Sequence, residues 1–291
     1  MAQTLTTRAG LALAAAVALV AASACGGGKD DDKSVLPEGE TGTVHIATAF
    51  DQPGFNLFNS HHYRGFDMDI AFYLGEELGF TPKFQDVTHA QRERELQEGS
   101  AGMVISTYSI TPEREKKIDF VGPYLMTSQG FLVRKDYDAI KKEKDIDGKT
   151  LCAVEGTTPS RVKMPSRTVM NEAPDYSTCV RKLQQGGVDA VFSDEALLYG
   201  YVEQKKNTKV PLKVVPNVNM GLLNRYGIGI PKGHPDDCRR ILKALRKYLV
   251  EEWSSDIKAQ LPALVATYPG NWENRFKPDP EDLNTYSSCR A

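Results

Sequence analysis

The sequence contains no long apolar run, no excess of charge of either sign and no internal repeat of fixed period. Its longest apolar stretch lies within residues 10–22 and is shorter than the about 20 residues that a membrane-spanning helix requires. The 36 basic and 38 acidic residues are scattered and leave a formal net charge of −2, so nothing indicates a nucleic acid partner. The 41% hydrophobic content is typical of a globular protein with one large or two ordinary domains.

The N-terminal residues 1–25 have the pattern of an export signal. Arg8 supplies a positive region before the apolar stretch, and Ala22-Ser23-Ala24 leads to Cys25. Two interpretations of Cys25 stay open: it is a chance cysteine near an ordinary cleavage site, or the motif resembles a bacterial lipobox and Cys25 is lipidated. Residues 26–41 lack apolar periodicity and predict a flexible tether. The lipobox interpretation places an exported protein beside a membrane, held by its lipid anchor.

Cysteine is scarce, and its spacing argues against a metal site. Setting aside Cys25 leaves four of the five cysteines, with no Cys-x-x-Cys spacing. An even number in an exported chain favours disulfides, and four cysteines permit three pairings. Cys152 ends a predicted strand and Cys179 begins a predicted helix in the same segment, which favours Cys152–Cys179 and leaves Cys238–Cys289. We therefore predict two disulfides, no metal and no cofactor, with metal binding as the weaker alternative.

Hydroxyl side chains precede a predicted helix start within residues 106–114. Thr111 is a suitable N-cap, and Pro112 suits the first helical position, where its missing N–H is not needed. Backbone N–H groups, hydroxyls and the Arg114 guanidinium therefore converge. This combination favours a carboxylate or another small anion.

A second segment of this kind occurs where Thr158 precedes Pro159 at another predicted helix start. Asp194, at the end of a predicted strand, has two interpretations: an N-cap for the next helix, or a carboxylate that meets a ligand cation. Ligands of open α/β sheets bind beyond the carboxyl ends of the strands, so these residues are expected to face a shared cleft. Arg114 at one edge and Asp194 at the other would complement a zwitterion.

Apolar periodicities predict alternating strands and helices, which indicates an α/β fold with a mainly parallel sheet. The predicted strands are 44–47, one beginning at 81–84, 102–107, 130–133, 149–154, one near Tyr176, 188–192, 212–215 and 226–230. The predicted helices are 66–78, 92–98, 112–117, 159–163, 178–186, 195–204 and 235–252. The pattern restarts near residue 149, and extended crossings fall near 126–130 and 216–222, so we expect two lobes joined by two strands. The expected lobes are 42–127 with 218–269, and 128–217. A C-terminal extension over 270–291 follows, for which the prolines predict no helix before about 281–286.

Several motifs together carry a resemblance to a known family. They are Gly65–Leu78, Ser109–Arg114, Asp119-Phe120 with Pro123-Tyr124, Gly156–Pro159, and Val188-Asp189-Ala190 with Asp194. In this order they resemble bacterial extracytoplasmic solute-binding proteins, family 3, of the polar amino acid type, the receptors of ABC importers. The resemblance implies a periplasmic-binding-protein type II fold, in which two α/β lobes close over one ligand. It also implies a monomer whose partners are an amino acid and a transporter permease.

The resemblance assigns roles to matching residues. Arg114 is expected to bind the ligand α-carboxylate, helped by Thr107 and Ser109. Thr158 would contribute from the other lobe, and Asp194 would bind the α-ammonium group. Closure would strengthen these ion pairs because it excludes water.

Four segments are similar to those of glutamate-type binders of actinobacteria: Phe50–Gly54, Thr107–Ser109, Leu151-Cys152 and Tyr176–Cys179. Ala49 stands where binders of basic amino acids usually have an acid, which argues against lysine or arginine unless Asp51 substitutes for it. Arg92 falls where glutamate-type proteins also have arginine and would meet a distal carboxylate; the alternative is a solvated helix residue. Phe50 either packs on the ligand or belongs to the core. A glutamate-, glutamine- or aspartate-like ligand is therefore expected.

Three functional classes remain. The first is delivery of an amino acid to an ABC importer, and the second is a lipoprotein sensor that reports to a membrane receptor or kinase. The third is an exported enzyme on the same fold, which needs a positioned base or nucleophile. No Ser-His-Asp order or metal-ligand spacing is apparent, so we predict no catalysis.

Overall fold

Two groups of parallel strands flank a central antiparallel pair in the computed structural model, which describes residues 34–37, 42–59, 61–204 and 210–289. The strands are β1 (Gly42–Thr48), β2 (Asp51–Gln52), β3 (Asn56–Asn59), β4 (His62–Arg64), β5 (Phe80–Asp86), β6 (Met103–Val104), β7 (Asp119–Arg134), β8 (Thr150–Val154), β9 (Val169–Ala173), β10 (Ala190–Asp194), β11 (Leu212–Val214) and β12 (Met220–Ile230). The larger sheet has the order β5-β1-β6-β12-β7-β10-β8-β9, with β11 paired to β7, and β2-β3-β4 form a small separate sheet.

The helices connect these strands and cover the sheet. They are α1 (Phe66–Leu78), α2 (Arg92–Gln97), α3 (Pro112–Glu115), α4 (Tyr176–Gln184), α5 (Glu195–Glu203), α6 (Pro235–Glu251), α7 (Trp253–Gln260), α8 (Pro262–Thr267), α9 (Trp272–Phe276) and α10 (Leu283–Tyr286). Short 3₁₀ turns occupy Glu143–Ile146, Pro159–Arg161 and Pro280–Asp282. α1 ends where Gly79 adopts the left-handed conformation, φ 75°, and donates its N–H to the Gly75 carbonyl.

The sheet consists of two α/β lobes that share the long strands β7 and β12. Strands β5, β1 and β6 are parallel on one side, and β10, β8 and β9 are parallel on the other. β7 and β12 run antiparallel between them. The predicted α/β class and two-lobe arrangement are confirmed, and the mainly parallel sheet holds within each lobe. The residue boundaries of the lobes stay a prediction, since Ser34–Ala291 forms one compact unit.

Several predicted elements differ from the structure. The strand expected near Tyr176 is wrong: Asp175 accepts the Thr178 N–H at 2.6 Å and starts α4 at Tyr176, while the strand lies earlier, at Val169–Ala173. The helix expected at 159–163 is a single 3₁₀ turn.

The strand expected over 102–107 is shorter because its last residues bond to side chains rather than to a neighbouring strand. Ser106 accepts the Ala49 N–H through its hydroxyl, and Thr107 donates its N–H to Asp67. The chain therefore leaves the sheet after Val104.

Two cystines join segments that are distant in the sequence. Cys152–Cys179 joins β8 to α4, and Cys238–Cys289 joins α6 to the C-terminal extension. These are the pairs that the sequence favoured. The expectation of no helix before about residue 281 is wrong, because α9 forms at Trp272–Phe276. Trp272 stacks there on Trp253 of α7, with ring centres 5.7 Å apart.

Residues 34–36 pack against the folded unit, so the prediction of a free tether does not hold for them. The Leu36 side chain is completely buried in the main core. The Ser34 hydroxyl and the Val35 N–H both donate to the Asp237 carboxylate, at 2.7 and 2.6 Å. Burial of one apolar side chain and two hydrogen bonds to a charged acceptor offset the entropy of ordering this short segment.

Other predictions about the N-terminus lie outside the described residues. They are the signal over 1–25, Cys25, and the tether at residues 26–33 and 38–41. Within the part of the chain that the structure describes, no helix has the length and apolarity to cross a membrane.

Candidate functional site

The loop between β6 and α3 holds its hydroxyl groups in a fixed arrangement. The Thr111 hydroxyl caps α3 by accepting the Arg114 N–H at 3.3 Å, as predicted. Thr107 has a φ of 43°, a conformation that is unfavourable for a branched residue. Its N–H donates at 2.7 Å to the buried Asp67, which also accepts from Tyr124. Asp67 thus stabilises the strained turn beside the hydroxyls.

Arg114 is buried and has a protein partner at each guanidinium nitrogen. Nη1 donates to the Ser109 carbonyl and Nη2 to the Gly156 carbonyl, both at 2.8 Å, while Nε donates to Glu93 at 3.0 Å. Its Cζ lies 4.6 Å from the centre of the Tyr108 ring. These contacts hold the charge at the point where the two lobes meet, because Gly156 follows β8.

Arg92 is also buried, which excludes its interpretation as a solvated helix residue. Its nitrogens donate to the backbone carbonyls of His89, Ser106 and Gly156, at 2.9, 2.8 and 3.2 Å. Burial, followed by the nearby charge of Arg114, lowers the pKa of Arg92 to about 10. At neutral pH it therefore contributes a second positive charge to the same region.

Asp194 lies at the end of β10, with only 4% of its surface exposed. It occupies the N-cap position of α5, but its side chain makes no capping hydrogen bond to that helix. Its carboxylate accepts hydrogen bonds from Asn224 and, at 2.7 Å, from the Tyr226 hydroxyl. Burial raises the pKa of Asp194 to about 6, against the opposing effect of these two donors.

Thr158, which belongs to the other lobe, lies close to Ser109 and Asn224, but it does not cap a helix. Its side chain makes no capping bond. The hydroxyl instead accepts from Asn224 Nδ2 at 2.8 Å and lies 3.5 Å from the Ser109 hydroxyl. Thr158 and Ser109 therefore connect the two lobes directly.

These residues line one small cavity of about 10 Å³. Its lining is His89, Arg92, Thr107, Ser109, Arg114, Thr157, Thr158, Tyr176 and Asp194. All the predicted ligand-binding residues except Phe50 are included. Phe50 lines a neighbouring groove of about 490 Å³ that shares His89, and it packs on Phe58 and Tyr63.

Sequence reasoning missed several residues of this site. Asn224 and Tyr226 on β12 hold Asp194, yet only the antiparallel neighbour relation of β12 and β7 brings them there. His89 is buried, and burial together with the nearby guanidinium charges holds its pKa well below the usual range. It is therefore neutral and accepts a hydrogen bond from the Gln52 amide at 2.8 Å. In the sequence, the position of His89 just before α2 is the feature that could have indicated it as a site residue.

The cavity lining carries two positive charges and one negative charge. Arg114 and Arg92 supply the guanidinium groups, and Asp194 supplies the carboxylate. Hydroxyl groups lie between them, which suits the polar atoms of a small zwitterion. Among the described residues, no group of three or more His, Cys, Asp or Glu side chains is placed to hold a metal ion.

Known proteins share both the sequence pattern and the fold. The model of the family "Bacterial extracellular solute-binding proteins, family 3" matches residues 44–261. The glutamate-binding protein GluB of Corynebacterium efficiens is 37% identical over 246 residues, covering 80% of this chain and 83% of the relative. The ABC transporter glutamine-binding protein GlnH of Bacillus subtilis is 29% identical over 253 residues, covering 81% and 90%.

Solved structures show the same fold. An ancestral arginine-binding protein bound to glutamine superposes with a TM-score of 0.69 at 29% identity, covering 75% of this chain and 97% of that structure. The family match extends over most of the chain, and the two-lobe architecture agrees with it. The chain therefore belongs to the bacterial extracellular solute-binding proteins, family 3.

Proposed function

We propose that this protein is an exported receptor that binds a glutamate-, glutamine- or aspartate-like amino acid between its lobes and delivers it to an ABC importer. The observation that carries this proposal is a cavity lined by two buried guanidinium groups and one buried carboxylate. An α-amino acid carries the complementary pair of charges. Similarity to the glutamate-binding and glutamine-binding relatives supports the ligand class.

Each end of the ligand has a proposed partner. Arg114 binds the α-carboxylate through charge-assisted hydrogen bonds, with Thr107, Ser109 and Thr158 supplying hydroxyl groups. Asp194 binds the α-ammonium group. Water exclusion within the cleft strengthens both contacts.

The ligand side chain is proposed to lie toward Arg92 and the groove that contains Phe50. Arg92 already donates to three carbonyl oxygens, so it would attract a distal carboxylate mainly through its charge. Phe50 would contribute an apolar wall at the groove. A distal carboxylate then binds more tightly than a distal ammonium group.

Binding requires that the cleft walls separate. A cavity of about 10 Å³ holds roughly one water molecule, far less than an amino acid. The shared strands β7 and β12 are the connections about which the lobes would move. We propose that the ligand enters an open form and that the lobes close on it.

Cys25 is the proposed site of membrane anchoring. A lipidated Cys25 would hold a monomeric receptor at the outer face of the cell membrane, next to the permease. Changing Cys25→Ser should release the protein from the membrane fraction into the soluble fraction. Full retention of the variant on membranes would contradict lipid anchoring.

Titration calorimetry on the chain from Ser34 onward tests the ligand class. L-glutamate, L-glutamine, L-aspartate, L-asparagine, L-arginine and L-histidine should be compared, and one or two of the acidic or amide amino acids should bind. Arg114→Gln should weaken binding at least about 100-fold, because it removes a charge-assisted anchor worth about 3 kcal/mol. Arg239→Gln, an exposed position on α6, is the matched control and should bind normally.

The outcomes separate the candidate functions. No heat with any of the six amino acids would overturn the proposal. Loss of labelled amino acid uptake in cells that lack this protein distinguishes an importer receptor from a sensor. Conversion of a bound ligand into product, followed by mass spectrometry, would indicate an enzyme.

A further inference from the structure

The C-terminal segment, residues 268–289, lies beyond the family match, which ends at residue 261. The cystine Cys238–Cys289 attaches its end to α6. The Ser288 N–H donates to the Phe120 carbonyl on β7 at 2.8 Å. The segment is thus fixed to one lobe at its end and lies against a strand that both lobes share.

The start of the C-terminal segment binds the residue next to Asp194. Glu195 has a completely buried side chain. Arg275 Nη2 donates to its carboxylate at 2.7 Å, and the Tyr268 hydroxyl donates to the other oxygen. A buried carboxylate without partners is very unfavourable. The position of Glu195, and of the peptide bond that joins it to Asp194, therefore depends on Tyr268 and Arg275.

The end of the C-terminal segment contacts the strand that supplies both donors to Asp194. The Arg225 Cζ lies 4.3 Å from the centre of the Tyr286 ring, a cation–π contact. Arg225 is the residue between Asn224 and Tyr226, whose side chains donate to the Asp194 carboxylate. Tyr286 thus contacts the side chain of the residue that lies between those two donors in the sequence.

We propose that the C-terminal segment is a positioning element for the ammonium end of the binding site. Its first contact is with Glu195, the residue that follows Asp194. Its second contact is with Arg225, the residue between the two that donate hydrogen bonds to Asp194. The two contacts together fix the carboxylate relative to Asn224 and Tyr226. This inference rests on the proposed function, because it assumes that Asp194 binds a ligand ammonium group.

Two variants in the C-terminal segment test the inference without changing a residue that lines the cavity. Arg275→Gln removes the charge opposite Glu195, and Tyr286→Leu removes the ring under Arg225. Each should raise the Kd for L-glutamate, or for L-glutamine if that ligand binds the unmodified protein, by about 2- to 30-fold. Arg275→Lys retains the charge and should restore much of the affinity. Circular dichroism establishes that each variant is folded.

A second readout separates positioning from general support of the fold. The pH at which binding is half lost should move upward in both variants, because a displaced Asn224 or Tyr226 donor no longer stabilises the ionised Asp194. A general loss of stability would lower the melting temperature without moving this pH. If Arg275→Gln does not fold, Tyr286→Leu still gives both measurements.

Arg246→Gln is the matched control. Arg246 also contacts the C-terminal region, through the Pro280 carbonyl and Asn284, but it reaches neither Glu195 nor Arg225. It should leave the Kd and the pH midpoint unchanged. Wild-type values for both quantities in Arg275→Gln and Tyr286→Leu would overturn the inference, as would an equal effect of Arg246→Gln. Failure of the unmodified protein to bind any amino acid would instead overturn the proposed function.

Discussion

Ligand binding should weaken as the pH falls through 6, because Asp194 must be ionised to bind an ammonium group. Burial raises the pKa of Asp194 to about 6, although Tyr226, Asn224 and the charges of Arg114 and Arg92 act to lower it. The ionised form therefore dominates above pH 6 and is lost below it. If protonation of Asp194 with this pKa prevents binding, the Kd should rise about tenfold between pH 7 and pH 5. The ligand α-ammonium group stays charged over this range.

A pair of tyrosine variants identifies the titrating group. The Tyr226 hydroxyl donates to Asp194 at 2.7 Å, and the Tyr124 hydroxyl donates to Asp67 at 2.8 Å. Burial also raises the pKa of Asp67 to about 6, so pH alone does not separate the two carboxylates. Tyr226→Phe loses a hydrogen bond to a charged group worth about 1.5–3 kcal/mol, which should raise the midpoint by about 1–2 pH units. Tyr124→Phe keeps the Asp194 contacts and should leave the midpoint unchanged.

Calorimetry from pH 5 to pH 8 is the measurement. Repeating it in two buffers of different ionisation enthalpy counts the protons released on binding, and about one should be released below pH 6. A Kd that stays constant from pH 5 to pH 7.5 would refute the reasoning. So would a midpoint that moves in Tyr124→Phe and not in Tyr226→Phe, since the relevant carboxylate would then be Asp67.

Three further predictions concern stability. Asp67→Asn should lower the free energy of unfolding by about 1–3 kcal/mol in urea titrations, because an amide cannot accept from all of the donors that the carboxylate serves. Leu36→Ala should cost about 2–5 kcal/mol, whereas Val250→Ala at an exposed position should cost almost nothing; equal effects would show that residue 36 is not part of the core. Replacing Cys238 and Cys289 by serine should remove about 2–4 kcal/mol, seen as a lower melting temperature, and an unchanged melting temperature would contradict a structural role for this cystine.

The order of strands and helices was predictable because apolar spacing repeats within each lobe. The start and end of α1, for example, follow from the glycines at residues 65 and 79 and from the apolar residues between them. The short strand β6 and the start of α4 were mispredicted because individual side chains, such as Asp175, redirect the backbone hydrogen bonds. Such local competition is not visible in apolar periodicity.

The charged residues that line the candidate site could be named from the sequence, but the residues that hydrogen-bond to them could not. Arg114 and Asp194 follow strand ends next to helix starts, a position with a direct physical meaning in α/β folds. Asn224 and Tyr226 come from a strand that is distant in the sequence and antiparallel to its neighbour β7. The buried ion pair of Glu195 could not be recognised from the sequence, because an acidic residue is common in the first position of a helix.

The Gly156 carbonyl oxygen would compete with a bound ligand for the Arg114 guanidinium. It accepts hydrogen bonds from both Arg114 and Arg92, at 2.8 and 3.2 Å. In the proposed binding mode, a ligand carboxylate that takes the Nη2 hydrogen now bonded to Gly156 would displace this oxygen, so the affinity would be a difference between two sets of hydrogen bonds. Such an exchange of one acceptor for another would let the protein release its ligand more readily than the number of contacts alone would indicate. Changes in the loop that carries Gly156 would therefore tune affinity without altering any side chain that binds the ligand.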